Sequence, residues 1–256
     1  ASSSAGHSPQ FRSKNRGGAS FTSSAAMSII WLGWPEIKRR AQRYTRGVKR
    51  PPQINPVQVD RAEASRAGEV LGRAFADTKQ WASFLPGSDA RQLKFAQMFA
   101  GTVKLTSAAG GIAERTRGFE AVALWLPPGH EIGFRAMVRS RFASARFAIT
   151  PPFPNMRQMT AMLREFEATH KQQMPDPHWY LMALGVDPAH HRKGHGTALV
   201  EHGIRRAAAD NHPIYLETES GGNVDFYRTL GFDVLDEIVI KAIDLPFTLL
   251  VHPPGD

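Results

Sequence analysis

Residues 181–196 read LMALGVDPAHHRKGHG, and TALVEHGIRRAAAD follows at 197–210. The apolar opening predicts a strand over 179–186, Val186-Asp187-Pro188 a turn, and the final run a helix over 197–210. In that helix Leu199, Val200, Gly203, Ile204, Ala207 and Ala208 share one stripe, while Glu201, His202, Arg205, Arg206 and Asp210 fall elsewhere. A helix packed along such a stripe has a set direction, so the unpaired N–H groups of its first turn face the loop. Gly194 and Gly196 let the main chain approach an anion closely, and Arg192 and Lys193 add positive charge. Strand, turn, basic glycine loop and helix in succession predict a pyrophosphate cradle, and hence a nucleotide-tailed cofactor.

The rest of the chain supplies a sheet to hold this unit. A strand is predicted over 57–61, then a helix over 62–76 with Ala67, Val70, Leu71 and Phe75 as its stripe, and a helix over 89–100 with Leu93, Phe95, Ala96 and Phe99. Residues 112–115 and 119–126 predict a hairpin, stopped by Pro127-Pro128-Gly129. A helix over 155–174 carries Met159, Met162, Leu163 and Phe166. A strand over 213–218, a short helix over 224–230, and strands over 234–242 and 245–251 complete the order. Strands mixed with helices around one sheet give an α/β (α+β) domain over 56–256. Residues 127–177 exceed what a plain strand connection needs, and interleave Phe134, Met137, Phe142, Phe147 and Phe153 with Arg135, Arg139, Arg141 and Arg146. Two readings stay open for them: a lid that recognises substrate, or aromatics packed on the sheet.

Composition narrows the function classes. The 256 residues are 42% hydrophobic and 21% charged, as in a globular protein, and no apolar run approaches the ~18 residues that span a bilayer. There is no cysteine, which excludes disulfides, thiolate metal sites and a thiol nucleophile. The net charge of +9 sits entirely in residues 1–56, which hold ten Lys or Arg and one acid, Glu36. The remaining 22 basic and 22 acidic residues cancel, so nucleic acid is not the default partner of the domain. Residues 1–26 hold eight serines and no acid, a composition expected to be disordered. It suits an organelle-targeting segment or vector-derived sequence ahead of Met27, the second being favoured; the expected compartment is the cytoplasm, with organelle targeting left open. Residues 27–55 form a basic arm whose stretch 34–46 predicts a short amphipathic helix, with Trp34, Ile37, Ala41 and Tyr44 on one face. Docking of that face on the domain or on a partner chain is expected over membrane anchoring, and a homodimer is left open.

A second constellation lies about 30 residues beyond the loop: Leu216-Glu217-Thr218, then Asn223, then Phe226-Tyr227-Arg228-Thr229-Leu230-Gly231-Phe232. With His191-Arg192-Lys193-Gly194-His195-Gly196 before it, this pattern resembles the GNAT superfamily of acetyl-CoA-dependent N-acetyltransferases. That family's loop reads Arg/Gln-x-x-Gly-x-Gly/Ala, and its later pattern Asn-x-x-Phe-Tyr-x-x-x-Gly-Phe is met in full from Asn223 to Phe232. Within the family, the Leu-Glu-Thr strand and the Tyr-Leu … Gly-Val strand are similar to those of antibiotic-type enzymes such as the puromycin N-acetyltransferases. The resemblance implies a mixed central sheet with flanking helices and a splayed pair of strands that holds the acyl-CoA.

Site residues follow from the resemblance one by one. Main-chain groups of Leu184 and Val186 are expected along the pantetheine arm, and His191, Arg192, Lys193, Gly194, His195, Gly196 and Thr197 around the pyrophosphate. Asn223, with Phe226 near it, is expected at the pantetheine or its neighbouring backbone. Tyr227 is expected to protonate the departing thiolate, a task a phenol of pKa near 10 can perform without ionising at rest. The expected co-substrate is acetyl-CoA, and the acceptor a primary amine of a small molecule, attacking the thioester directly with a main-chain N–H near 184–186 for the oxyanion. A protein or peptide amine, and a non-catalytic CoA-binding module tethered by the basic arm, are the alternatives. For the general base, period-2 alternation puts Tyr215, Glu217 and Glu219 on one face, so Glu217 and Glu219 are both candidates. His191 departs from the family's Arg or Gln; an imidazole there predicts cofactor affinity that weakens as pH rises through neutrality. No metal is expected, because His191 and His195 lack the Glu of a zinc-protease motif and have cationic neighbours.

Overall fold

Residues 121–126, AVALWL, contain no polar side chain and are buried along their whole length, so they need cover on both faces. A computed structural model of the protein describes residues 54–82, 84, 88–132, 155–219 and 221–255. Its strands are β1 (Val57–Gln58), β2 (Ile112–Arg115), β3 (Ala121–Leu126), β4 (Trp179–Val186), β5 (Ile214–Glu219), β6 (Asp233–Ile240) and β7 (Leu245–His252). They form one sheet in the order β1-β2-β3-β4-β5-β7-β6. Neighbours are antiparallel except β4 and β5, which run parallel at its centre.

Helices cover the two faces separately. They are α1 (Ala64–Phe75), α2 (Lys79–Ala82), α3 (Ser88–Ala108), α4 (Met156–Gln173), α5 (His195–Ala209) and α6 (Gly222–Thr229). Leu71 of α1, Phe95 and Phe99 of α3 and Met162 of α4 bury against Val122 and Leu124 of β3. On the other face Leu199 and Val200 of α5 and Val224 and Tyr227 of α6 gather around Trp125, Leu181, Leu216 and Leu250. Alternate residues of one strand, β3, thus feed both cores, as its unbroken apolar run requires.

The α1–α3 contact is backbone on backbone. A Cβ built on Gly68 would lie 2.5 Å from the Ala100 amide nitrogen, and one on Gly72 would lie 2.7 Å from that of Ala96. The Gly-x-x-x-Gly spacing therefore clears a strip of α1 on which α3 lies directly, a pattern the composition alone does not reveal.

Several boundaries differ from the sequence expectation for local reasons. The first strand stops at Gln58 instead of residue 61, because Asp60 and Glu63 exchange backbone-to-side-chain hydrogen bonds that turn the chain into α1 (Glu63 N to Asp60 Oδ1, 2.8 Å). Helix α3 runs on past Ala100 to Ala108 through Gly101 and a Thr/Val/Ser-rich stretch. The hydroxyls of Thr102, Thr106 and Ser107 donate to carbonyls one turn back, at 2.9–3.2 Å, so they are satisfied without leaving the helix. Helix α5 begins at His195 and α6 at Gly222, each two residues early, and α2 was not expected. The expectations for 1–26, for the helix at 34–46 and for the aromatic and arginine residues of 133–154 lie outside the described residues. No described helix is long and apolar enough to cross a membrane.

Replacing Gly68 by Ala should force α1 and α3 apart. The expected cost is roughly 1–3 kcal/mol of unfolding free energy, measured by urea titration. An unchanged midpoint would mean that the helices do not pack at this distance.

Candidate active site

The central feature is a parallel pair that does not stay paired. β4 and β5 register only at Trp179–Ile214 and Tyr180–Tyr215. On their outer sides, by contrast, β4 follows β3 up to Val186 and β5 follows β7 along its full length. The two strands therefore diverge after two rungs, and a cavity of about 1230 Å3 lies along the gap. It is lined from both faces: by Phe75, Phe99 and Phe166 of one core, and by Leu184, Phe226 and Tyr227 of the other.

A bulge in β4 adjusts what faces the gap. Leu124 of β3 pairs with Ala183 and Trp125 pairs with Leu181, so Met182 is extra. Trp179 and Leu181 pack on the α5 side, Ala183 on the opposite side, and after this slip Leu184 and Val186 return to the α5 side. Without the bulge, simple alternation would turn these last two residues away.

The glycine loop closes one end. Asp187 holds the turn: its Oδ1 accepts the Ala189 N–H (3.0 Å) and its Oδ2 accepts Nε of Arg73 from α1 (2.8 Å). Gly194 has φ +84°, which favours glycine, and Arg192 adopts φ +58° beside it. The first intrahelical bond of α5 runs from Ala198 N to Gly194 O (3.0 Å), which leaves the amides of 195–197 without an intrahelical acceptor. The direction of α5 is set by Glu114, a buried acid on β2 that is paired with Arg206 and lies 3.0 Å from Nδ1 of His202. A Cβ on Gly196 would come within 3.1 Å of Val186, so the glycine keeps the helix start against β4. His195 Nδ1 is buried in this cradle without a hydrogen-bond partner. Open amides, two glycines, an arginine and an unpartnered buried imidazole nitrogen fit a diphosphate.

Of the residues expected at this end, Leu184, Val186, His191, Arg192, Gly194, His195, Gly196, Thr197, Asn223 and Phe226 all line the cavity. His191 does so with its Nε2 3.0 Å from the Val186 carbonyl, so its ring is tied back to the end of β4. Lys193 stands apart: its ammonium donates to Ala189 O at 3.0 Å, and it is not part of the lining. Asn223 donates to the Thr218 hydroxyl at 3.1 Å, which links α6 to β5 at the rim.

The two acids on β5 separate. Glu217 lines the cavity, and burial pushes its carboxyl up to about 7 against the pull of the Tyr180 and Tyr215 phenols, which lower it. Neither Glu217 Oε1 nor the Tyr215 hydroxyl finds a well-aligned hydrogen-bond partner. Glu219 accepts the backbone N–H of Gln80 at 2.6 Å, which secures the start of α2, and it is not part of the lining. Tyr227, 8% exposed, lines the cavity between Phe226 and Phe232, with ring centroids at 5.0 and 5.5 Å. Burial pushes its phenol above the ordinary range, so it remains protonated.

Behind Glu217 lies a cluster that sequence reading missed. His170 of α4 stacks on Tyr215 (4.7 Å) and contacts Tyr180 (4.4 Å), and its Nε2 lies 2.5 Å from Nε2 of His178. His178 Nδ1 faces the Asp176 carbonyl at 2.6 Å, so that nitrogen carries the proton and its Nε2 accepts from His170. Burial, with the charge of His178, pushes His170 down to about 4, so the pair is neutral at pH 7. The only linear trace of the cluster is that Tyr180 and Tyr215 each follow the first residue of a strand.

The middle of the chain, residues 158–232, matches the acetyltransferase (GNAT) family. The architecture is a GNAT fold. The histone acetyltransferase HPA2 and related acetyltransferase of Corynebacterium glutamicum is similar over 80% of this chain and 98% of its own, with a TM-score of 0.56 and 24% identity. The arylalkylamine N-acetyltransferase 2 of Aedes aegypti is similar over 79% and 99%, with a TM-score of 0.52 and 14% identity. An uncharacterized N-acetyltransferase of Schizosaccharomyces pombe is 22% identical over 149 residues, 56% of this chain. The chain spans 60% of that relative's length. The family match over 158–232 and the shared fold are what this chain has in common with the GNAT acetyltransferases. Among the described residues no group of three or more His, Asp or Glu is arranged to hold a metal ion.

A carboxyl raised by folding stabilises the protein below its unfolded pKa near 4.5 and loses that contribution as pH rises through about 7. Between pH 4.5 and 8 the wild type should therefore lose on the order of 3 kcal/mol relative to Glu217→Gln. Denaturant unfolding of both proteins at the two pH values checks this. Parallel pH dependence would show that Glu217 is not buried as described.

Proposed function

We propose that the protein transfers an acetyl group from acetyl-CoA to the primary amine of a small molecule by direct attack. One observation carries the reading: the gap between β4 and β5 joins the glycine loop to a half-buried carboxylate and a buried phenol within a single cavity.

Acetyl-CoA supplies the acetyl group as an activated thioester. Arg192 and the amides of 195–197 hold the diphosphate, with Gly194 and Gly196 permitting the approach. The diverging edge of β4 around Leu184 and Val186 offers backbone groups to the pantetheine arm and an N–H to the oxyanion, and Asn223 and Phe226 flank the arm from α6. Glu217 takes the proton of the amine as the N–C bond forms. A carboxyl near 7 is ionised in half the molecules at neutral pH, and is a better base than an ordinary glutamate. Tyr227 gives a proton to sulfur as the C–S bond breaks. The chain has no cysteine, so no acyl group passes through an enzyme thiol.

Glu217 is preferred to Glu219 as the base because Glu219 is engaged at Gln80. The narrower likeness to antibiotic-type acetyltransferases rests on the sequences of β4 and β5 alone. An amine on a small molecule is favoured over one on a protein by the half-buried position of Glu217 within the cavity.

Tyr227→Phe should lower kcat by roughly 100-fold or more while the KM for acetyl-CoA stays within about threefold. In the wild type, kcat/KM for the amine should fall tenfold per pH unit below about 7, and Glu217→Gln should abolish that limb. Free-thiol release from acetyl-CoA, followed against a panel of amines, measures both. Turnover indifferent to Tyr227→Phe would favour a CoA-binding protein with a different task.

A further inference from the structure

We propose that the acceptor is a small monoamine with an aromatic or otherwise apolar body, selected by Phe75, Trp81 and Phe99. The inference rests on the acetyltransferase reading and adds to it the chemistry of the second substrate.

The cavity has two unlike halves. On the α5/α6 side its lining carries His190, His191, Arg192 and His195, which suits a phosphate-bearing molecule. On the α1/α3/α4 side it is walled mainly by Phe75, Trp81, Met98, Phe99, Met159 and Phe166, with Thr78, Gln80, Thr102 and Thr160 as its uncharged polar members. Glu217 of β5, with Tyr215 on the same face of that strand and Tyr180 of β4 beside it, also lines the cavity.

The apolar half is preorganised. Phe75 and Phe99 stack at 5.1 Å, and the Trp81 ring meets Phe99 edge-on at 5.9 Å and Phe95 at 5.5 Å. Phe166 is fixed against Phe247 of β7 at 4.8 Å. Phe75, Trp81 and Phe166 are only partly buried in the core they pack on, so part of each ring faces the cavity. Rings locked by other rings present a surface that an aromatic or aliphatic body can cover with little loss of side-chain freedom.

Charge sets the second limit. Glu217 is the only carboxylate among the described residues of the lining. It matches one ammonium group, the one that reacts. A polyamine would have to place its remaining cations against a largely apolar wall with no second carboxylate among the described lining residues, which leaves them unpaired. A peptide would bring unpaired backbone amides to the same wall.

The test uses the full chain with acetyl-CoA, following thiol release with 2-phenylethylamine, hexylamine, ethylamine, spermidine and a lysine-containing peptide. The expected result is a kcat/KM for 2-phenylethylamine at least about tenfold above those for spermidine and the peptide. Phe75→Leu and Trp81→Leu should each lower the ratio of kcat/KM for 2-phenylethylamine over ethylamine by roughly tenfold, mostly through KM. The KM for acetyl-CoA should move less than about twofold, with melting temperature confirming that each variant is folded. Using both positions keeps the test decisive if one variant does not fold. Higher kcat/KM for spermidine or the peptide, or equal loss for every amine in both variants, would overturn the acceptor class while leaving acetyl transfer intact. Absence of thiol release with every amine would instead overturn the acetyltransferase reading beneath it.

Discussion

The constraint on which the site depends is the incomplete pairing of β4 with β5. Two parallel strands that share a sheet normally stay in register, because each unpaired N–H and C=O inside a protein costs free energy. Here each strand is held by an antiparallel partner on its outer side, β3 for one and β7 for the other, which keeps both in place while they diverge. The backbone groups thus turned toward the gap are the natural partners of an extended, amide-bearing ligand. The Met182 bulge belongs to the same device, since it aims Leu184 and Val186 at the α5 side, toward the glycine loop.

Electrostatics within the gap follow from where the helices end. The start of α5 brings open amides and Arg192 to one side, and its direction is imposed by the buried Glu114–Arg206 pair on the far edge of the sheet. A buried acid is tolerated there because Arg206 and His202 both meet it. Glu217 lacks an equivalent cation and is raised instead. The partners of the two acids differ: Glu114 meets a guanidinium, and Glu217 meets phenols. The neutral His170–His178 pair packs against those phenols and ties α4 to the first rung of the β4–β5 pair, the last point before the strands part.

Sequence reading named the cavity-lining residues that are contiguous in the chain. The loop from His191 to Thr197 and the stretch from Asn223 to Tyr227 each form a local unit of strand end, turn and helix start, and their residue types state what backbone they need. Element order and the sidedness of α1, α4 and α5 were likewise visible in apolar periodicity. Two residues named from sequence lie outside the cavity lining, where each side chain has a local partner. Lys193 satisfies itself on Ala189, and Glu219 on Gln80, and spacing cannot reveal either preference. The cluster of Tyr180, Tyr215, His170 and His178 was not legible, because four residues from three elements meet only after the sheet is assembled.

By itself the sequence determined the fold class, and it nominated the loop 191–197, Tyr227 and Glu217 as candidates, because each is written in short-range pattern and residue chemistry. The splayed strand pair was implied by the family resemblance, and tertiary structure decided that β4 and β5 part after two rungs and that a bulge re-aims Leu184 and Val186. It also decided that Glu217 and not Glu219 faces the cavity, and that Phe75, Trp81 and Phe99 wall its other half. These depend on which elements pack against which, and on the burial that results. Neither quantity exists until residues distant in the chain are brought together.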